Sequence, residues 1–184
     1  EAVAMLARLS VDEQGNLLYS GVPGTGGFSD VKRGDWYAPY VAFAKRYGIA
    51  NGYLDGTFRP EQPVSRAELV KLIASYFTVE GGTPPFPDVP GGHWAAEVVS
   101  FAAEEGWVSG YPDGTFRPDA PVSRAEAVKI LNHALDRRAG ERAAALPFTD
   151  VEKGHWACDE IREAAVSHTY RKSGEGETWL TYER

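Results

Sequence analysis

The sequence predicts a mainly α-helical protein built from tandem repeats. Three observations predict it. Residues 110–126, GYPDGTFRPDAPVSRAE, repeat residues 52–68, GYLDGTFRPEQPVSRAE, at an offset of 58, with changes only at Leu54/Pro112, Glu61/Asp119 and Gln62/Ala120. A Phe-x-Asp-Val landmark followed by tryptophan occurs at Phe28 with Trp36, at Phe86 with Trp94 and at Phe148 with Trp156. Apolar residues at helical spacing follow each landmark and each Ser-Arg-Ala-Glu tetrad. A unit of this size buries little alone, so neighbouring units are expected to share a core.

Taken in order, the opening EAVAMLARL aligns Glu1 with Glu68 and Glu126. It is expected to continue a third tetrad whose start lies outside the chain, with Ala2, Met5, Leu6 and Leu9 on one face. The first tryptophan-led helix carries Tyr37, Tyr40, Val41 and Ala44. Its second copy carries Trp94, Val98, Val99 and Ala102, and its third Trp156, Ile161 and Ala164. Asp35, His93 and His155 precede the tryptophans, where an N-cap is expected. Gly48 and Gly106 are placed to end the first two of these helices. An Asp-Gly turn flanked by prolines follows and cannot be helical.

The tetrads then start a second class of helix. Ser65 with Glu68, and Ser123 with Glu126, fit the capping box, in which each side chain bonds the other residue's backbone amide. Such a cap stabilises by about 1 kcal/mol. Leu69, Leu72, Ile73 and Tyr76 are expected on the inner face of one such helix, and Ala127, Ile130, Leu131 and Ala134 on that of the other. The connectors 10–27, 80–85 and 139–147 vary in length and composition. After Tyr170 the third copy departs from the pattern and ends in a short tail, 171–184, expected to be extended, with Trp179 and Tyr182. The unit boundaries are thus 1–27, 28–85, 86–147 and 148–184, all within one domain, 1–184.

Composition narrows the function. The net charge of −7 argues against a nucleic-acid binder, which needs a basic stripe. No apolar run approaches the roughly 18 residues of a membrane helix, and no signal peptide is expected at the start. The single cysteine, Cys158, leaves no internal disulfide and no cysteine-rich zinc framework. It aligns with Ala38 and Ala96, as a small packed residue would. His93 and His155 align with Asp35 and have no second ligand at i+4, so no metal and no cofactor is expected.

FSDV, FPDV and FTDV, the Trp-Ala and Trp-Tyr-Ala that follow, GYxDGTFRP, and SRAE in place of TRAE together resemble the S-layer homology (SLH) domain of bacterial surface proteins. The resemblance is strong over residues 28–135. It implies three tandem SLH units, cut out of phase with the repeat, in a pseudo-threefold three-pronged spindle. The tetrad helices would form a central three-helix bundle. Each prong would pair one of them with the tryptophan-led helix of the next unit, giving a monomeric pseudo-trimer. It further implies an extracellular location at the cell wall or S-layer. The implied function is noncovalent anchoring through a secondary cell-wall polysaccharide, often bearing a pyruvate ketal on N-acetylmannosamine. The grooves between prongs would hold it.

The residues fit an acidic sugar. Arg66 and Arg124 follow the N-caps Ser65 and Ser123, where helix dipole and free amides favour an anion. Gly52 and Gly110 would let a ring approach the backbone. Trp36, Trp94 and Trp156 could offer flat apolar faces, although tryptophans at helix starts also serve as core anchors. Asp30, Asp88 and Asp150 lie near the groove in the family, while local amide bonding is the structural alternative. The first tetrad is incomplete and the third turn is absent, so at most two sites hold both turn and arginine. An architectural S-layer self-assembly module without glycan binding is the alternative function, with other S-layer proteins as partners. An enzyme using Asp88 and Asp113 is disfavoured, because an active site copied twice in one chain would be unusual.

Overall fold

The computed structural model describes residues 1–137, 146, 148–173 and 176–182, with side chains of 172–180 and 182 left out. The connector 139–147 therefore lies largely outside the described residues, as do the end of the tail and the Trp179 side chain.

The chain is mainly helical, as the sequence predicts. Its elements run α1 (Ala2–Leu9), a short 3-10 turn (Leu18–Gly21), α2 (Ala38–Arg46), α3 (Arg66–Ala74), α4 (Ala96–Glu104), α5 (Arg124–Ala134), α6 (Cys158–Ala165), β1 (His168–Ser173) and β2 (Gly176–Tyr182). The helices pack in pairs: α1 on α2, α3 on α4, and α5 on α6. Each pair joins a tetrad-type helix to the tryptophan-led helix that follows it. Helix α3 also touches α1 and α5. The tail forms an antiparallel hairpin of β1 and β2, with His168 opposite Tyr182 and an irregularity at Thr169/Tyr170.

Both capping boxes form. Ser65 Oγ accepts from the Glu68 amide at 3.2 Å, and Glu68 Oε2 accepts from the Ser65 amide at 2.8 Å. The Ser123 and Glu126 pair repeats this at 3.3 and 2.9 Å. The tryptophan-led helices instead begin two residues after the tryptophan, so Asp35, His93 and His155 do not cap them. Asp35 accepts from the Lys32 amide at 2.7 Å, and His93 Nδ1 accepts from the Ala95 amide at 3.1 Å. These residues fix the turn that delivers the tryptophan to the surface.

The core also departs from the expected faces. In α1 the buried residues are Val3, Ala4, Leu6 and Ala7, while Met5 and Leu9 are exposed. In α3 they include Ala67, Leu69, Val70, Ile73 and Ala74, whereas Tyr76 lies past the end of the helix and is exposed. The tetrad helices pack on two sides at once, so the apolar stripe is wider and rotated relative to a single face. Ile130 and Ala134 of α5 are buried as expected.

The α5–α6 pair is held partly by polar contacts. His133 Nδ1 faces the Gly106 carbonyl at 3.0 Å and Nε2 faces Glu160 Oε1 at 3.2 Å. Asn132 Nδ2 donates to Glu160 Oε2 at 2.8 Å. With acceptors at both ring nitrogens, chiefly Glu160, His133 has a pKa raised above its ordinary value. The raised value makes its stabilisation complete below about pH 6.5 and lost as pH rises through the folded pKa. The protein should therefore lose more thermal stability between pH 6 and 9 than His133→Gln does. Parallel melting profiles of the two would contradict this.

Candidate functional site

The two GYxDGTFR turns build the walls from which the site is made. Asp30 accepts from the Phe58 amide at 2.8 Å and the Arg59 amide at 2.7 Å. Asp88 holds Phe116 and Arg117 in the same way, at 2.9 and 2.7 Å. Burial raises the carboxyl pKa of each, but the amide bonds outweigh it and the net shift is downward. Asp55 accepts from Thr57 Oγ1 and binds Arg59 Nη2 at 2.9 Å, which pulls its pKa down to about 2. Asp113 makes the same contacts with Thr115 and Arg117, which hold its carboxyl well below the usual carboxylate range. The Arg59 and Arg117 guanidinium groups lie over the rings of Tyr53 and Tyr111, at 4.0 and 4.1 Å from their centroids. Asp88 and Asp113 are thus occupied in shaping a turn. Asp150 is exposed and belongs to the copy that lacks the turn.

Gly52 and Gly110 serve the same wall. Both have positive φ, +73° and +72°, and each lies against the landmark phenylalanine, Phe28 or Phe86. Their missing side chains admit a phenylalanine ring and a carbonyl of the turn, Thr57 O or Thr115 O.

One cavity has a volume of about 920 Å³. Trp36, Gly52, Arg59, Glu68, Lys71 and Trp94 border it. Trp36 and Trp94 are 59% and 52% exposed, so neither is a core anchor. Lys71 Nζ sits 5.2 Å from the Trp94 ring centroid. The same pairing recurs in the next repeat, where Lys129 Nζ lies 5.8 Å from the centroid of Trp156, itself 59% exposed. A second cavity, about 420 Å³, lies among α1, α3 and α5 and is bordered by Met5, Ile73, Leu131, Ser123, Arg124 and Trp36.

The two tetrad arginines occupy different environments. Arg124 is open to solvent and binds Glu1 Oε1 at 2.7 Å. Arg66 is 8% exposed and lies against the rings of Tyr111 and Phe116, 5.2 and 5.0 Å from their centroids, with Glu126 Oε1 at 3.5 Å. It borders neither cavity. Of the residues expected to meet a ligand, then, Trp36, Gly52 and Trp94 share one cavity, and Trp36, Ser123 and Arg124 share the other. Ser65, Arg66, Gly110, Trp156, Asp30, Asp88 and Asp150 border neither. Lys71 and Lys129 were missed by sequence reasoning. Their signal was present, since each stands three residues after a tetrad glutamate, in SRAELVK and SRAEAVK.

Residues 27–70 and 85–128 each match the S-layer homology domain family. These repeats are SLH domains. The chain is 33% identical over 98% of its length to Cell surface glycoprotein 1 of Acetivibrio thermocellus. It is 34% identical over 82% of its length to the Cellulosome-anchoring protein of the same organism, and 36% identical over 60% to S-layer protein EA1 of Bacillus anthracis. It spans only 8%, 35% and 12% of those three proteins. The likeness is therefore to a part of each of them. The segments matched to the family contain both turns, both tetrads, Trp36 and Trp94, while Lys71 and Lys129 each stand one residue past the end of a matched segment.

Proposed function

We propose that this SLH region anchors the polypeptide that carries it to the cell envelope by binding an acidic, pyruvylated secondary cell-wall polysaccharide. It acts outside the cell, at the wall or S-layer, as a monomeric pseudo-trimer without catalysis. The observation that carries the reading is the cleft in which Trp94 presents an exposed face under the Lys71 ammonium, with Trp36 on the same cavity. A sugar ring covers the indole and its carboxylate meets the lysine. Lys129 with Trp156 offers the same chemistry again, so two weak sites on one body would hold a polymer by avidity. Names among the relatives, Cellulosome-anchoring protein and S-layer protein EA1, point in the same direction.

The test is co-sedimentation with wall sacculi. The chain should sediment with intact sacculi and stay in solution once the polysaccharide is chemically stripped. A charged hydrogen bond contributes roughly 1.5–3 kcal/mol, so Lys71→Ala with Lys129→Ala should weaken binding by about tenfold or more while the fold is kept. Undiminished sedimentation of the folded double variant would remove the lysines from the mechanism. Association of the chain with itself, with no glycan binding, would favour S-layer self-assembly instead.

A further inference from the structure

The three helix pairs differ at one junction. It lies one turn beyond the lysine position on the tetrad helix and one turn beyond the tryptophan on its partner. In the first pair it joins Arg8 to Tyr40, whose Oη accepts from Arg8 Nη2 at 3.0 Å, and Ala4 stands at the lysine position. In the second it holds Ser75 and Val98, which carry no charge. In the third it holds His133 and Glu160, with Nε2 and Oε1 3.2 Å apart. The third junction is thus the one of the three that can change its charge near neutral pH.

The proton on His133 decides how Lys129 is engaged. The Gly106 carbonyl, 3.0 Å from Nδ1, can only accept, so Nδ1 keeps its hydrogen in either state. When the ring is charged, Nε2–H donates to Glu160 and the pair is neutral. Lys129 then stands as a net positive charge beside Trp156. When the ring is neutral, Nε2 turns a lone pair towards the carboxylate. Glu160 keeps the Asn132 amide at 2.8 Å but loses its counter-charge from the histidine. Lys129, one turn before His133, is the other cation that acts on Glu160, and its charge is then balanced. Glu160 of α6, the Gly106 carbonyl after α4 and Lys129 of α5 are the groups that face His133.

We infer that His133 and Glu160 make acidic-saccharide binding at the third cleft, Lys129 with Trp156, depend on a proton, while the second cleft, Lys71 with Trp94, is free of that control. The inference rests on the glycan binding proposed above. Affinity at Lys129 falls as pH rises through the titration of His133. Affinity at Lys71, beside Ser75 and Val98, stays level. A polymer held by two clefts in mild acid is held chiefly by one in mild alkali, and avidity falls with it. A unit charge about 7 Å away changes affinity about threefold in water, and more where solvent is partly excluded.

Calorimetric titration with pyruvylated wall polysaccharide at about pH 6 and about pH 8.5 tests this in single-cleft variants. Over that range the lysines and the ligand carboxylate keep their charges. Lys71→Ala, which leaves the third cleft, should bind about threefold or more weakly at the higher pH. Lys129→Ala, which leaves the second, should bind equally at both. Lys71→Ala with His133→Gln should bind at the weaker level throughout. Where His133→Gln lowers stability too far, the His133 ring resonance of Lys71→Ala gives the same answer. Saturation with polymer should raise its titration midpoint by about 0.5 pH unit, the shift that corresponds to a threefold preference for the protonated form. Equal pH dependence in the two lysine variants, or an unshifted His133 midpoint, would overturn the inference and leave glycan binding standing. Equal affinity of the unaltered chain for pyruvylated and depyruvylated polymer at both pH values would overturn the acidic-glycan reading, and this inference with it.

Discussion

Replacing Gly52 by alanine should destabilise the protein by about 2–5 kcal/mol. The left-handed backbone costs about 1–2 kcal/mol for a residue with a side chain, and forcing atoms into a packed site about 1–3 more. At Gly52, φ is +73°, and an added Cβ would overlap the Phe28 ring and stand 2.7 Å from the Thr57 carbonyl. Gly56 supplies the control. It has φ of +81° but nothing within 4 Å of the same added atom. Gly56→Ala should therefore lose only the backbone share. Denaturant midpoints of the two variants separate the terms. Equal losses would mean that the contact between turn and landmark phenylalanine contributes nothing, and that the repeated glycine serves backbone geometry alone.

The second large effect is at Arg66. Arg66→Ala should cost about 2–4 kcal/mol, because it strips the cover from Tyr111 and Phe116 and removes a partner from the half-buried Glu126. Arg66→Met should stay within about 1 kcal/mol of the parent. It keeps the stem packed, Arg66 Nε has no hydrogen-bond partner to lose, and Glu126 retains Tyr111 Oη at 2.5 Å and the Ser123 amide. Arg124→Ala, at a site open to solvent, should leave stability unchanged. If Arg66→Met lowered the melting temperature as far as Arg66→Ala does, the charge and not the packing would be the stabilising element.

The fold was legible because its signals are local and copied. Capping boxes, glycine stops and proline-flanked turns each specify backbone conformation within a few residues. What did not show was how copies meet. The sequence makes Arg66 and Arg124 equivalent, yet Arg66 lies against the next copy's GYxDGTFR turn, at Tyr111 and Phe116, while Arg124 is open to solvent and pairs with Glu1. Burial is set by that neighbour, which no window around either arginine contains. The same holds for the α1 face, where Met5 and Leu9 have helical spacing but Val3 and Ala7 meet the core. Trp36, Trp94 and Trp156 were legible as candidates. Their exposure, and the lysine above two of them, depended on the turn that begins each helix two residues later.

Calorimetric titration of the chain with wall polysaccharide, before and after chemical removal of its pyruvate groups, bears most directly on the binding cleft. The depyruvylated polymer should bind at least tenfold more weakly, and Lys71→Ala with Lys129→Ala should erase the difference between the two polymers. Equal affinity of the unaltered chain for both would contradict an acidic saccharide seated beneath these lysines.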